Sequence, residues 1–456
     1  MDTTPVIIGA GPAGIAAAAA LAQCGLRPVV IDEAAQPGGQ IFRHPRAELK
    51  RTDDELYGFD ARRAVEFRDG FAALAPKIDY RPETHIWSAC EGKLHVVSRS
   101  GPSVQNWSHL IIATGAMDRI VPVKGWTAPG VYSLGGAQIA LKAEASLIGQ
   151  RVVFAGTGPL LYLVAYQYAK AGATVVAVLE VGNPFGHMAL LPALASGRTA
   201  FTKGLFYMAT LRRRGVPLLT GVRLIEVLRG ADDHVTGIAY HWRGRDKVAT
   251  CDGLAIGHGL KAETQIADLL GLEFSFDPVQ RQWLPHADRD GRSSMANVYL
   301  AGDGFSIRGS ETAQASGRLA AAALLRDSGH IGPIEIGRDR RTVARTARFR
   351  KAMDQIFAFP HRVAAALSDD VLVCRCEGLT AGTVRQAVAA SGEAEINRIK
   401  AFCRVGMGRC QGRLCGASAA ELIASAAGVG IETVGRLRAQ APIKPVTLAD
   451  LTGGEP

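Results

Sequence analysis

Apolar runs, small residues and acidic positions follow one another twice in the same order along the chain. In the first repeat, residues 5–8 are apolar, residues 15–24 are Ala-rich and residues 28–31 are again apolar. The outer runs predict buried strands, and the middle run predicts a helix that Gly25 ends. This order predicts the first strand-helix-strand unit of a parallel sheet.

The turn between that strand and that helix has the composition of a phosphate-binding turn. It reads Gly9-Ala10-Gly11-Pro12-Ala13-Gly14. Gly9 permits a tight turn, Gly11 lets backbone amides approach a pyrophosphate, and Gly14 lets the helix pack closely on the strand. Asp32 and Glu33 follow the second strand, at the distance where an acidic residue receives ribose hydroxyls. Strand, turn, helix and acid together predict a site for an adenine dinucleotide.

The second repeat is a diverged copy of the first. Residues 151–155 lead into Gly156 and Gly158, an apolar helix follows, and a strand over residues 174–179 ends at Glu180. Glu180 favours a ribose diol over a 2′-phosphate. Leu161 stands where the third glycine would be, and a bulky residue there is expected to loosen the helix packing. Three alternatives stay open: a working nucleotide site, a folded but empty one, or a site that holds an adenine nucleotide without redox chemistry.

Composition and charge exclude several classes of protein. With 456 residues, 48% of them hydrophobic, the chain is expected to be globular, and its 52 glycines suit α/β nucleotide binding. The net charge of +10 comes without a recognisable nucleic-acid module, so no nucleic-acid partner is expected. No signal peptide precedes the first strand, which predicts a cytoplasmic protein. The apolar stretch 152–179 is interrupted by Gly, Pro and Lys, so no membrane-spanning segment is expected.

Cysteine spacing predicts a metal cluster near the end of the chain. Four of the eight cysteines lie within 42 residues of each other, namely Cys374, Cys376, Cys410 and Cys415. Four thiolates would suit zinc, but the tight Cys-x-Cys spacing at the start is atypical of zinc and favours an iron-sulfur cluster. Cys403 lies outside the pattern and is predicted to be a non-ligand.

The remaining cysteines carry a different prediction. Cys24, Cys90 and Cys251 are isolated and are expected to be inert buried thiols. No Cys-x-x-Cys pair occurs anywhere in the chain, which excludes disulfide reductase chemistry.

Three further segments resemble the two-dinucleotide-binding flavoprotein reductases, the superfamily of thioredoxin reductase. They are Gly38-Gly39-Gln40, Ala113-Thr114-Gly115 and the run Val298-Tyr299-Leu300-Ala301-Gly302-Asp303-Gly304. The resemblance implies FAD in the first site, with the Asp303 carboxylate accepting a hydrogen bond from the ribityl chain. The implied FAD residues are Gly9, Gly11, Pro12, Ala13, Gly14, Asp32, Glu33, Gly39, Gln40, Thr114, Gly115, Gly302 and Asp303.

The start of the cysteine region resembles the bacterioferritin-associated ferredoxin module, which implies a [2Fe-2S] cluster. The ordered set of motifs, including residues 37–43, 125–131 and 410–416, is similar to one family across nearly all the chain. That family is the α subunit of heteromeric opine oxidases, D-hydroxyproline and proline dehydrogenases, and bacterial hydrogen cyanide synthase. It implies a β partner that is an FAD-dependent amine oxidase. It also admits a small γ subunit, an FMN at the interface between chains, and NAD or ATP in the second site.

The expected fold is α/β, with two Rossmann-like dinucleotide-binding domains and a small C-terminal [2Fe-2S] domain. The expected limits are 1–118 with 286–330 for FAD, 119–285 for the inserted NAD(P)-like domain, 331–368 for an Arg-rich helical linker, 369–435 for the cluster domain and 436–456 for a tail. The tail either lies over another domain or hangs free.

The expected function is an electron-transfer subunit of an amine or amino-acid dehydrogenase. The alternatives are a self-sufficient NADH-dependent reductase and a non-catalytic scaffold or electron carrier. The sequence singles out no acid-base catalyst, and it leaves the amine and the downstream electron acceptor open.

Overall fold

The structure, a computed structural model, describes residues 4–45, 48, 51–186, 188–197, 199–330 and 335–452. The first three residues, the start of the expected linker at 331–334 and the end of the expected tail at 453–456 lie outside this part. Its strands are β1 (Pro5–Ile8), β2 (Val29–Ile31), β3 (Asp79–Arg81), β4 (His85–Cys90), β5 (Lys93–Ser98), β6 (Gly101–Asn106), β7 (His109–Ile112), β8 (Ala116–Asp118), β9 (Val131–Ser133), β10 (Arg151–Thr157), β11 (Thr174–Glu180), β12 (Leu218–Thr220), β13 (Arg223–Arg229), β14 (Val235–Trp242), β15 (Arg245–Thr250), β16 (Gly253–His258), β17 (Leu260–Ala262), β18 (Phe274–Asp277), β19 (Gln282–Pro285), β20 (Val298–Leu300), β21 (Leu372–Cys374) and β22 (Leu379–Thr380).

The helices lie between and after these strands. They are α1 (Pro12–Gln23), α2 (Asp53–Tyr57), α3 (Ala61–Leu74), α4 (Leu134–Ala143), α5 (Pro159–Lys170), α6 (Leu191–Ala195), α7 (Thr199–Arg213), α8 (Gln265–Leu269), α9 (Ser310–Asp327), α10 (Gly337–Ile356), α11 (His361–Ala365), α12 (Ala381–Ser391), α13 (Ile396–Cys403), α14 (Gly416–Ala427), α15 (Ile431–Val434) and α16 (Leu448–Thr452). Among the described helices, none combines the length and apolar character that crossing a bilayer requires.

The first sheet contains both ends of the flavoprotein-like part of the chain. Its five strands lie in the order β20-β7-β1-β2-β3, and each pairs in parallel with its neighbour. Strand β20 comes from nearly 200 residues beyond β7, so the inserted segment leaves and re-enters this sheet. The predicted β1-α1-β2 unit is present, and the parallel sheet confirms the expected α/β fold.

Helices α1 and α9 approach this sheet and each other at backbone contact. A Cβ atom added to Gly14 would lie 1.8 Å from the Gly9 carbonyl oxygen, and one added to Gly317 would lie 2.1 Å from the Ala13 carbonyl oxygen. Both distances are shorter than any carbon-oxygen contact, so these positions accept only glycine. The close approach brings the start of α1 to the end of β20.

The second sheet repeats the arrangement of the first. Its strands lie in the order β12-β11-β10-β16-β9, all parallel, with α5 following β10 as α1 follows β1. Strand β8 leads out of the first sheet and β17 leads back, and these two strands pair antiparallel. The chain therefore passes between the two sheets at one place, which we call the crossing point and define as residues 114–118 and 260–265.

The last part of the chain packs on both sheet domains. Helix α10 is held to α9 by an ion pair between Arg318 and Asp339 (2.6 Å), and to the loop between β19 and β20 by one between Arg340 and Asp290 (2.5 Å). The hairpin β21-β22 and helices α11 to α14 share a separate apolar core. After α15 the tail runs back over the first domain, where Ile443 is buried in the apolar cluster that also contains side chains of β1 and β2. The tail thus lies over another domain, which is one of the two expected alternatives.

The glycine at the α1–α9 contact offers a test of this packing. Gly317→Ala should lower the free energy of unfolding by about 1–3 kcal/mol, because the new methyl group forces the two backbones apart. Gly70→Ala is the matched control, since Gly70 also lies inside a helix but a Cβ there meets nothing within 4 Å. It should be neutral or stabilising by up to about 1 kcal/mol. Urea unfolding of both variants checks this, and equal effects would contradict the packing described.

Candidate functional site

The glycine-rich turn of the first unit lies at the carboxyl end of β1, against a second glycine loop. Gly11 is the N-cap of α1 and Pro12 occupies its first turn, so the helix begins at the fingerprint. Gly38 donates its amide hydrogen to the Ala10 carbonyl (2.9 Å), and a Cβ atom on Gly39 would lie 3.1 Å from Gly11 Cα. These backbones can therefore line a shared cradle for a phosphate group, which a side chain on either glycine would fill. Gln40, next to the cradle, is exposed.

The two acidic residues after β2 have different surroundings. The Asp32 carboxylate accepts the amide hydrogens of Ala10 (2.5 Å) and Ala34 (2.7 Å), so it braces the turn. Burial raises the pKa of Asp32, and these hydrogen bonds oppose that rise. Glu33 is exposed and pairs with Lys444 of the tail. The sequence predicted both acids for the ribose, while the structure places Asp32 inward and Glu33 at the surface.

The remaining residues implied for FAD lie at the ends of β7 and β20, along the same edge of the sheet. Asp303 is half-buried, and its Oδ1 accepts the amide hydrogens of Arg308 (2.9 Å) and Gly309 (3.2 Å). Burial raises the pKa of Asp303. Gly302 lies against Ala13 of α1, and a Cβ atom added to Gly115 would meet nothing within 4 Å. One edge of the sheet thus carries every residue implied for FAD, and its bare backbone fits a dinucleotide.

Sequence reasoning missed one basic group near this edge. The Nε atom of Arg43 is buried without a hydrogen-bond partner among the described residues, and its charge lowers the pKa of the Asp32 carboxyl. The Tyr57 hydroxyl donates to the Arg43 carbonyl oxygen (2.7 Å), which holds this loop in place. The sequence signal that could have identified Arg43 was a basic residue in the same loop as Gly38 and Gly39.

The second glycine turn has the same brace but a more enclosed acid. Glu180 has no exposed surface, and its carboxylate accepts the amide hydrogens of Gly182 (2.9 Å) and Gly158 (3.3 Å). Burial raises the pKa of Glu180 to about 7. Gly156 touches the neighbouring strand so closely that a Cβ atom would lie 1.7 Å from the Gly257 carbonyl oxygen. The predicted residues come together here, but Glu180 is turned towards the protein.

The start of α5 is also covered. Leu161 is fully buried in the core of the second domain, so it fills the space near the turn. Tyr162, the next residue, faces Phe357 at the end of α10, with ring centroids 6.4 Å apart. The Tyr162 hydroxyl is buried and has no partner among the described residues. The linker helix therefore ends beside the turn that a second nucleotide would use.

The four predicted cluster ligands form one group of neighbouring thiols. Cys374 ends β21, Cys376 lies in the turn after it, and Cys415 is the N-cap of α14. The thiol of Cys415 is within hydrogen-bonding contact of Cys374 and Cys410, and Cys410 contacts Cys376. Two loops that are separate in sequence thus bring all four sulfur atoms together.

The electrostatics of this group favour a thiolate at two of its four sulfur atoms, while burial raises the pKa of Cys376. The hydrogen bond from Cys415 lowers the pKa of Cys374 to about 6 and that of Cys410 to about 4, while the same bonds raise the pKa of Cys415. No three His, Cys, Asp or Glu side chains in the described ranges are arranged to hold one metal ion. A [2Fe-2S] cluster needs only two thiolates on each iron, so four thiols in pairwise contact suit its ligand set.

The other cysteines are separate from this group. The Cys403 thiol donates to the Ile399 carbonyl oxygen of its own helix (3.4 Å). All eight thiols are free, and Cys251 is buried as predicted. The prediction of burial was wrong for Cys90, which is exposed, and Cys24 is only half-buried. Both lie at the end of an element, where solvent reaches one side.

The cluster loop, residues 410–415, contacts the crossing point directly. Arg413 pairs with Glu263 (2.7 Å), and the Gln265 side-chain amide donates to the Gln411 carbonyl oxygen (2.8 Å). Lys261 lies beside the same loop, with Nζ 3.5 Å from the Gly412 carbonyl oxygen. Sequence reasoning did not predict these contacts, because they join residues about 150 positions apart.

Comparison with known proteins assigns two parts of the chain to known families. Residues 3–320 match the family described as pyridine nucleotide-disulphide oxidoreductase. The chain belongs to that family. Residues 372–425 of this flavoprotein match the BFD-like [2Fe-2S] binding domain. The first match indicates FAD and the second a [2Fe-2S] cluster, which confirms these two expected cofactors.

Relatives over the full length are oxidase and synthase subunits. This flavoprotein is 34% identical to an opine oxidase subunit of Agrobacterium tumefaciens, covering 98% of this chain and 90% of the relative. It is 35% identical to the hydrogen cyanide synthase subunit HcnB of Pseudomonas aeruginosa, covering 98% and 97%. These matches confirm the family resemblance, and with it an oxidoreductase subunit.

Solved structures show the same fold. L-proline dehydrogenase from P. horikoshii superposes with a TM-score of 0.70 at 19% identity, over 98% of this chain and 79% of that one. Thioredoxin reductase from T. acidophilum superposes with a TM-score of 0.54 at 23% identity, over 71% and 98%. The second match covers less of the flavoprotein than the first.

The buried acid of the second site predicts a pH dependence of stability. The pKa of Glu180 is about 7 in the folded protein and near 4.5 ordinarily, so the unfolded chain releases this proton first as the pH rises. The free energy of unfolding should therefore decrease as the pH rises from the lower pKa to the higher one. Glu180→Gln should remove this part of the decrease. Urea midpoints at about pH 5 and about pH 8 measure it. Glu432→Gln, at an exposed position, is the control and should follow the parent protein.

Proposed function

We propose that this flavoprotein is the electron-transfer subunit of a heteromeric amine or amino-acid dehydrogenase of the opine, D-hydroxyproline or proline type. It accepts electrons from a partner chain, an FAD-dependent amine oxidase, and passes them on through its own FAD and [2Fe-2S] cluster. The contact between the cluster loop and the crossing point carries this proposal, because electron transfer needs the two cofactors close together. The subunit names of the relatives support a partner chain.

In this proposal FAD is held by the residues at the carboxyl ends of β1, β7 and β20, along one edge of the first sheet. The backbone of Gly11 and Gly39 receives the pyrophosphate, Arg43 supplies a nearby positive charge, and the free oxygen of Asp303 accepts a hydroxyl hydrogen bond. FAD accepts two electrons and releases them singly, whereas a [2Fe-2S] cluster carries one. Cys374, Cys376, Cys410 and Cys415 hold the cluster, and the pKa values of Cys374 and Cys410 favour the deprotonated ligands.

The polar groups near the crossing point hold structure rather than move protons. The His258 ring is buried, and its Nδ1 accepts the Val121 amide hydrogen (3.1 Å). Burial lowers the pKa of His258 to about 3, which leaves it neutral. Glu263 is paired with Arg413. These contacts favour substrate oxidation on the partner chain, with relay in this one.

A cleft beside the cluster loop is our proposed place for the interface FMN. It lies between the crossing point, the β18-β19 hairpin and the cluster domain. Three polar atoms of the residues that line it are buried without hydrogen-bond partners among the described residues, namely Arg119 Nε, Gln265 Oε1 and Trp283 Nε1. Lys261 adds a positive charge to its walls, where Arg281 and Arg436 are paired with Glu421 and Asp268. The two unpaired N–H donors, of Arg119 and Trp283, and the cation of Lys261 suit a phosphate-bearing ring compound.

For the second glycine turn we propose a site without nicotinamide chemistry, either empty or holding NAD or ATP structurally. The enclosed Glu180 and the covering end of α10 support this proposal. The proposal for the whole protein also keeps the domain limits expected from the sequence and a cytoplasmic location. Eight free thiols suit a reducing compartment. The self-sufficient NADH-dependent reductase and the scaffold stay as alternatives, as does a γ subunit.

Two substitutions should separate the cofactors. Cys410→Ser should remove iron and acid-labile sulfide while FAD still binds at saturating FAD, because the two sites use different residues. Gly11→Val should remove FAD and keep the iron, since its side chain would fill the cradle between Gly11 and Gly39. Metal and sulfide analysis with flavin absorbance checks both.

Cys403→Ser is the matched control for the first change, because Cys403 is buried in the same domain yet bonds its own helix. It should keep a full complement of iron and sulfide. Zinc without sulfide in the unmodified protein would falsify the cluster assignment.

The proposed electron relay also predicts which subunit oxidises the substrate. Alone, the flavoprotein should show no turnover of opines, proline, D-hydroxyproline or glycine with an artificial acceptor, and co-expression with its partner should restore turnover. NADH should bleach the FAD of the isolated flavoprotein slowly or not at all, because Glu180 is enclosed. Stopped-flow absorbance measures this. Rapid bleaching by NADH would instead support the self-sufficient reductase.

A further inference from the structure

One arginine of the cluster loop contacts two segments, and each of them leads to one end of the proposed FAD site. Arg413 lies between the ligands Cys410 and Cys415, and its side chain is largely buried. Its Nε donates to Glu263 Oε2 (2.7 Å), and a second nitrogen faces Glu263 Oε1 at 3.4 Å. Its remaining nitrogen donates to the Ile443 carbonyl oxygen (2.6 Å). A planar guanidinium fork can hold two partners in fixed directions at once.

The Glu263 contact leads to the ends of β7 and β20. The backbone carbonyl of Glu263 accepts a hydrogen bond from the Thr114 hydroxyl (2.6 Å), and its amide donates to the Gly115 carbonyl oxygen (2.9 Å). Thr114 in turn lies against Gly304, next to Asp303. A displacement of Glu263 therefore moves the residues proposed for the ribityl chain.

The Ile443 contact leads to the opposite end, near β2. Ile443 is 1% exposed, and its amide donates to the Trp87 carbonyl oxygen (3.0 Å). The next residue, Lys444, pairs with Glu33, one of the two acids predicted for the ribose. Arg413 thus fixes the part of the tail that faces the adenosine end.

We infer that Arg413 is a positioning residue that couples cluster assembly to FAD binding. The assembled cluster fixes loop 410–415, Arg413 transmits that order to Glu263 and Ile443, and both ends of the FAD site are held in their binding geometry. Linkage is reciprocal, so bound FAD also favours retention of the cluster. This inference rests on the proposed function, because it takes FAD and the cluster to occupy the sites assigned above.

The test measures FAD affinity of the full-length protein with and without its cluster. Flavin fluorescence gives the Kd for FAD before and after removal of iron by a chelator under reducing conditions. In the unmodified protein, loss of the cluster should weaken FAD binding by about 5-fold or more, the lower end of ordinary coupling between sites. In Arg413→Gln the two affinities should agree, and both should match the weaker one.

Arg404→Gln is the matched control. Arg404 also carries a positive charge in the cluster domain and pairs with an acid, Glu377 (2.7 Å), but that acid belongs to the same domain. This variant should keep the full difference in FAD affinity. If Arg413→Gln unfolds because Glu263 is left unpaired, Arg413→Gln combined with Glu263→Gln removes the unpaired charge and should also abolish the difference.

Equal FAD affinities with and without the cluster in the unmodified protein would overturn the inference, as would an undiminished difference in Arg413→Gln or in the double variant. Failure of the proposed function looks different, because the unmodified protein would then contain no FAD, or no iron and sulfide, before any comparison is made.

Discussion

The two hydrogen bonds between the backbone of Glu263 and residues 114–115 are the constraint on which the rest of the structure depends. They hold together the two segments that pass between the sheets. Strand β8 leaves and β17 returns at this point, so the position of the second domain follows from it. The same place receives the cluster loop. The first sheet, the inserted domain and the cluster domain therefore meet at the crossing point.

Close backbone packing makes that region possible. Gly14 and Gly317 allow α1 and α9 to approach within contact of neighbouring carbonyl groups, which brings the end of β20 to the glycine turn. A side chain at either position would move the glycine turn away from the end of β20. The packing of small residues thus determines whether distant segments can form one site.

Ion pairs then hold the last third of the chain in place. The chain carries a net charge of +10, yet its arginines repeatedly meet buried acids between domains. Arg281 pairs with Glu421 (2.7 Å), and Arg436 with Asp268 (2.6 Å), which ties the cluster domain and tail to the first domain. Removing one partner of such a pair leaves an uncompensated charge, so these contacts give a specific docking geometry.

The amino-acid sequence by itself determined the two strand-helix-strand units, the glycine turns with their acids and the four clustered cysteines. These features depend on residues that are near one another along the chain, and their chemistry follows from local backbone requirements. Only the tertiary structure decided that Glu180 is enclosed while Glu33 is exposed, since that depends on what packs above each strand. It also decided the path of the tail and the contacts of Arg413, because the Arg413–Glu263 pair joins residues 150 positions apart, which no local pattern encodes.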